Sequence, residues 1–141
     1  MLNNDFLEKA FSEIEHYIQI LKKHKGVTAE ELQDNTEKLW MISHGLQLTV
    51  QALMDIGTHI LSEIKSEPWE DYADVPRRLG EHKIISNELA ETFIAMVKMR
   101  NKLAHEYIFI DTKKVANVVN LYLDDVPNIV IQYQAYLETK Q

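Results

Sequence analysis

The feature that most constrains this chain is a seven-residue step in its first half. Leu32, Leu39, Leu46, Leu53 and Ile60 recur in register, and Thr36, Ser43, Val50, Gly57 and Ile64 fall between them. A sustained apolar repeat of this period is the signature of a helix seam packed on a neighbouring helix. The small residues between its large ones let that neighbour approach closely. Thr28-x-x-Glu31 supplies a capping box ahead of it, so the spacing predicts one long helix from about residue 28 to Ser66, closed by Pro68.

The remaining segments have the same character. Leu7, Ala10, Phe11, Ile14, Tyr17, Ile18 and Leu21 recur at three- and four-residue steps, predicting an amphipathic helix over 5–24. Lys22, Lys23 and Lys25 gather at its C-terminal end, where cations suit the helix dipole, and Gly26 is its stop. Residues 69–80 read as a short helix or turn, broken by Pro76 and closed by Gly80. Ser86 caps another helix, whose stripe is Leu89, Phe93, Met96, position 100 and Leu103. A last helix begins at Asp111-Thr112 and kinks or ends at Asp124-Asp125-Val126-Pro127, after which Ile129, Val130, Tyr133 and Leu137 resume the pattern. No segment alternates as a strand does. The expectation is an all-α fold: an antiparallel bundle of four main helices plus a short one, occupying residues 1–141 as a single domain.

Composition narrows the function classes. Cysteine is absent, which excludes disulfides and thiolate metal sites and fits a cytoplasmic location. No apolar run approaches the roughly 20 residues that span a bilayer, and Met1–Asp5 has no signal-peptide character. The net charge is −7, which argues against a broad basic surface for nucleic acid. The charge is uneven, however. Residues 77–114 carry eight basic and five acidic side chains, including all three arginines, Arg77, Arg78 and Arg100. Chance clustering on a solvated face and a local basic cleft on an acidic body are both open readings.

Position 100 is the anomaly in this pattern, because an arginine stands where the stripe expects an apolar residue. An unpaired buried guanidinium is costly. Arg100 therefore lines a cleft or meets an anion, or else it snorkels or forms a salt bridge. Five residues later comes His105, and Tyr107 follows. On an α-helix five residues turn through about 500° and rise about 7.5 Å, so Arg100 and His105 cannot share one face. They meet one ligand only if the helix ends or distorts near Ala104, or if two chains combine. Taken alone, a lone histidine is most simply structural, and the Tyr107 phenol can donate to a phosphate or merely pack.

Arg100-x4-His105-x-Tyr107 resembles the Arg-x4-His-x-Tyr motif of HEPN proteins, and specifically of the HepT toxins. The surroundings match as well. The run Ala52-Leu53-Met54-Asp55-Ile56-Gly57-Thr58-His59-Ile60-Leu61 is similar to the family's Asp-x3-His helix. Leu79 to Ile85, Glu88-Leu89-Ala90 and Ile110-Asp111 resemble the stretches that flank the motif. The resemblance covers about residues 5–137.

It implies a metal-independent endoribonuclease toxin without cofactor. The RNA 2′-hydroxyl attacks the adjacent phosphate, leaving a cyclic phosphate and a 5′-hydroxyl. Arg100 and His105 are the implied catalytic residues, Asn101 and Lys102 contact RNA, and Asp55 and His59 support the site. Such a cleavage needs a base, an acid and positive charge for the phosphorane. An imidazole serves either proton role near neutrality, and a guanidinium pairs with phosphate oxygens. One chain has one motif histidine, so a two-fold homodimer with a composite cleft is expected. The implied substrate is tRNA or mRNA, not DNA, with no membrane involved. The implied partner is an MNT-type nucleotidyltransferase antitoxin that attaches AMP to Tyr107, cancelling the charge of Arg100. The alternative is a non-catalytic HEPN nucleotide-binding or scaffolding partner of a nucleotidyltransferase.

The residues themselves leave Asp55, His59 and Glu63 open as metal ligands, as a polar row facing the cleft, or as a solvated face. His16, His24, His44 and His82 read as surface residues, and Trp40 and Trp69 as packing residues.

Overall fold

In a computed structural model, residues 2–105 and 110–140 are described. Among them every regular element is helical: α1 (Asn4–Lys22), α2 (Ala29–Asp34), α3 (Thr36–Glu63), α4 (Asp74–Glu81), α5 (Asn87–His105), α6 (Thr112–Asn117), a π-helical turn (Val118–Tyr122) and α7 (Asp125–Glu138). The four long helices α1, α3, α5 and α7 enclose the core, whose centre includes Ile14, Leu53, Ile56, Ile60, Phe93 and Tyr133.

The helix predicted over 28–66 is two helices. Thr28 caps α2 through a bond from the Glu31 amide, and Asn35 then adopts an extended conformation and accepts from the Lys38 amide at 3.1 Å. Asparagine is among the best N-capping residues, and this cap outweighs the seven-residue register. Leu32 is fully buried, but from α2. The seam proper is Leu46, Leu53 and Ile60, all buried, with Ser43, Val50 and Gly57 buried between them.

Gly57 is where the seam needs a missing side chain. A Cβ there would lie 2.9 Å from both Leu79 Cδ1 and the Tyr133 hydroxyl oxygen, and 3.3 Å from Val75 Cγ1. Tyr133, on α7, is wholly buried, and its hydroxyl donates to the Leu53 carbonyl at 2.9 Å. That bond satisfies the one polar atom of an otherwise apolar anchor.

Pro76, read as a breaker, opens a helix instead, whereas the helix expected to kink or end at 124–127 does end just before that stretch, and Pro127 opens the next one. Pro76 is the third residue of α4 and Pro127 the third of α7, positions whose amides have no intrahelical partner to lose. The last helical stretch is divided as well. The Leu123 amide donates to Val118 O at 3.0 Å, one residue further back than in an α-helix. Inside this turn Asn120 clamps the loop after α1. Its Oδ1 accepts from the Gly26 amide at 2.7 Å, and its Nδ2 donates to the Val27 carbonyl at 2.9 Å. Gly26 is left-handed with φ of 92°, a conformation costly to side-chain-bearing residues.

Lys25 beside this clamp bonds Asp124. The Lys25 hydrogen bond, followed by the charges of Lys25 and Lys22, holds the Asp124 carboxyl below the usual range. A carboxyl depressed in the folded state contributes stability above its unfolded pKa and loses it as pH falls through the folded value. Asp124→Asn is expected to flatten the acid limb of a stability–pH curve measured by urea unfolding between pH 5 and 2. The change is small, because the pair is exposed.

Side-chain positions depart from expectation at two further places. Trp40 does not pack; it is 62% exposed on the first turns of α3, whereas Trp69 is half-buried against the core. His24 is half-buried rather than superficial, and burial, then Lys38 and Lys23, push its imidazole pKa down.

Candidate active site

α5 carries the site. Leu89, Phe93, Met96 and Leu103 are buried along its stripe, and Arg100 sits half-buried among them. Two hydrogen bonds orient its guanidinium, and one aromatic ring lies near it. Nη2 donates to Gln51 Oε1 at 2.6 Å, Nη1 donates to Asn101 Oδ1 at 3.1 Å, and Cζ lies 5.9 Å from the centre of the Tyr72 ring. Nε is buried without a hydrogen-bond partner among the described residues. Both described acceptors are neutral. They fix the plane of the group while leaving its charge uncompensated, and each Nη keeps a further N–H to offer.

Gln51, from the middle of α3, went unnoticed in the sequence. Its Nε2 donates to Asp55 Oδ1 at 2.8 Å, one turn along. The amide can face only one way, because arginine only donates and a carboxylate only accepts. Asp55 thus reaches Arg100 through Gln51. The signal for this existed in the i,i+4 spacing of Gln51 and Asp55.

His59 turns elsewhere. Its Nε2 accepts from the Asn3 amide at 3.0 Å, and its ring lies 5.2 Å from that of Phe6. It closes the N-terminal end of α1, whose own cap is Asn3. Asp55 and His59 therefore have different partners, and among the described residues no group of three or more His, Cys, Asp or Glu is placed to hold a metal.

Asn101 is half-buried beside Arg100, while Lys102 and His105 are exposed. α5 is helical through His105. The helix neither ends nor distorts before that residue, so Arg100 and His105 stand about 140° apart around one axis. Within this chain they do not face a common point. Tyr107 lies outside the described residues. Beyond them, Asp111 caps α6 by accepting from the Lys113 and Lys114 amides.

The basic segment is less basic in space than in sequence. Arg77 pairs with Asp74 and Arg78 with Glu81, both within or at the ends of α4. The arginine whose described partners are neutral is Arg100.

A helical bundle of this shape, with an arginine and a histidine at the end of its third long helix, has the fold of the HEPN toxins. A tri-AMPylated HEPN toxin from Shewanella oneidensis, solved in complex with its MNT antitoxin, matches with a TM-score of 0.84 at 21% identity, over 95% of this chain and 99% of that one. YutE, a cytosolic protein of unknown function from Bacillus subtilis, matches with a TM-score of 0.84 at 15% identity, over 99% of this chain and 93% of that one. In sequence, residues 14–133 match the model of the ribonuclease HepT-like family. The tRNA nuclease HepT of Aphanizomenon flos-aquae (strain 2012/KM1/D3) is 32% identical over 133 residues, 94% of this chain and 90% of that protein. The chain belongs to the ribonuclease HepT-like family.

Proposed function

We propose that this protein is a metal-independent endoribonuclease toxin that cuts RNA through Arg100 and His105. The observation that carries the reading is the state of Arg100: a half-buried guanidinium, oriented by Gln51 and Asn101, whose described partners leave its charge unmatched. A phosphate supplies the missing charge and accepts the remaining N–H groups. Developing negative charge on a phosphorane is where such a fixed donor set contributes most.

His105 acts as the proton-transfer group. It takes the 2′-hydroxyl proton as that oxygen attacks the neighbouring phosphorus, or it protonates the departing 5′-oxygen. The products are a 2′,3′-cyclic phosphate and a 5′-hydroxyl. Because Arg100 and His105 diverge on one intact helix, the active cleft is built between two copies of the chain. His105 of one copy then faces Arg100 of the other across a two-fold axis. Lys102 and Asn101 border the same helix end. The relative from Aphanizomenon, named a tRNA nuclease, favours tRNA over mRNA as substrate.

The same reading assigns regulation to Tyr107, as the acceptor of AMP from an MNT-type nucleotidyltransferase antitoxin acting in the cytoplasm. The AMPylated state of the Shewanella toxin and its antitoxin complex support this. Nucleotide phosphate beside Arg100 occupies the RNA subsite and cancels its charge. Among the described residues no helix is long and apolar enough to cross a membrane.

Incubation of the purified protein with bulk tRNA in excess EDTA tests the reading. The expected result is discrete fragments with 5′-hydroxyl and cyclic-phosphate ends. Cleavage that appears only when a divalent metal is restored contradicts it. Tight binding of nucleotide with no cleavage at any protein concentration favours the non-catalytic reading.

A further inference from the structure

Tyr72 is the second residue that the sequence did not single out. It lies in the turn that leads into α4, and that turn is firmly built. The Ala73 amide donates to Asp71 Oδ1, the Asp74 amide donates to Asp71 O at 2.9 Å, and the Val75 amide donates to the Tyr72 carbonyl at 3.1 Å. The neighbours Ala73 and Val75 are buried at 6% and 0% exposure, yet Tyr72 is 51% exposed. The backbone is therefore anchored on both sides of a large aromatic residue left about half exposed. The Arg100 guanidinium lies over its ring, with Cζ 5.9 Å from the ring centre.

We infer that Tyr72 is a nucleobase-stacking platform adjoining the phosphate subsite at Arg100. The inference rests on the ribonuclease reading and specifies what that site grips: an unstacked nucleotide in single-stranded or loop RNA. Duplex RNA keeps its bases stacked on one another, whereas splayed bases settle on exposed aromatic faces. An aromatic ring beside an arginine matches the two faces of a nucleotide, base against ring and phosphate against guanidinium. A packing role is the weaker account of Tyr72, since it stays 51% exposed while Ala73 and Val75 beside it are buried. The neutral acceptors Gln51 and Asn101 already orient Arg100.

The test is binding and cleavage of a short single-stranded RNA spanning a mapped cut, with 2-aminopurine placed beside the cut. A copy with 2′-deoxyribose at the attacking position measures binding without cleavage. For Tyr72→Ala the expected result is about tenfold weaker binding and loss of 2-aminopurine quenching, with kcat within about twofold of the parent. Tyr72→Phe and Tyr72→Trp restore both. An abasic residue at the 2-aminopurine position weakens the parent by a similar factor and leaves Tyr72→Ala unchanged, as expected when the two changes remove one interaction.

Equal binding by Tyr72→Ala and the parent overturns the inference. So does a fall in kcat at unchanged affinity, which would make Tyr72 a positioning residue for Arg100, or a shift in self-association without effect on RNA. Binding without cleavage by the parent overturns the ribonuclease reading alone, and the Tyr72 comparison still decides this one. A parent that does not bind the RNA overturns both.

Discussion

His105→Ala is expected to lower tRNA cleavage by about 10²- to 10⁴-fold, the range in which a proton-transfer group contributes. Arg100→Ala is expected to lower it by about 10²- to 10³-fold, as loss of a fixed charge-stabilising donor does. Both are measured as single-turnover rates in EDTA, with thermal unfolding as the control for folding. His105 is exposed, so its replacement leaves the core intact. Unchanged cleavage by His105→Ala ends the mechanism. A sharper result comes from co-expressing the two variants. Each alone lacks one essential group in every copy, while a mixed dimer retains one Arg100 and one His105 on different chains. Cleavage regained in the mixed species is expected if the cleft lies between copies. None is regained if each chain works alone, because no chain then carries both groups.

The largest expected effect on stability is at Tyr133. Tyr133→Ala removes a wholly buried ring from the contact of α7 with α3, at a cost of about 3–5 kcal/mol. Tyr133→Phe keeps the ring and loses only the bond to the Leu53 carbonyl, about 1 kcal/mol. Urea unfolding at neutral pH separates the two. Burial also pushes the Tyr133 phenol well up. A group whose folded pKa is raised contributes stability that is full below its unfolded pKa, about 10 for a phenol. That stability fades as pH rises toward the folded value. Tyr133→Phe is therefore expected to unfold less steeply with rising alkali than the parent. Identical alkaline limbs would show that the phenol ionises in place. Gly57→Ala brings a methyl within 2.9 Å of the Tyr133 oxygen. Its cost is expected to shrink but not vanish in the Tyr133→Phe background, since one of the two atoms it crowds is gone and Leu79 Cδ1 remains.

Much of the bundle was legible because it rests on periodicity. The stripes of α1 and α5 and the seam of α3 bury most of the residues that their spacing selected, although Phe11, Tyr17 and Leu39 are only half-buried and Thr36 is exposed. What escaped was decided by single polar groups. Asn35 divides a continuous apolar register because its side chain satisfies an amide of the following turn, and a register carries no information about such a cap. Pro76 and Pro127 are ambiguous in sequence, since the same residue ends one helix or begins the next. The site was legible at Arg100 because an apolar stripe makes a charged intruder visible. Gln51 was not, because a glutamine on a long helix is ordinarily a solvated residue, and its role exists only once α5 is docked on α3. Tyr72 belongs to a turn with no periodicity from which to deviate. Asp55 and His59 looked like one polar row, yet α1 docks over the end of that row and claims His59 for its own first turn.

The Asn120 clamp carries a consequence for how the molecule opens. Gly26 and Val27 are bonded to a residue more than ninety positions away, so neither the loop after α1 nor the π-helical turn can unfold locally without releasing the other. The two form one cooperative unit drawn from opposite ends of the chain. Damage to the glycine loop is thereby transmitted to the segment just downstream of the motif, where sequence distance alone would predict indifference.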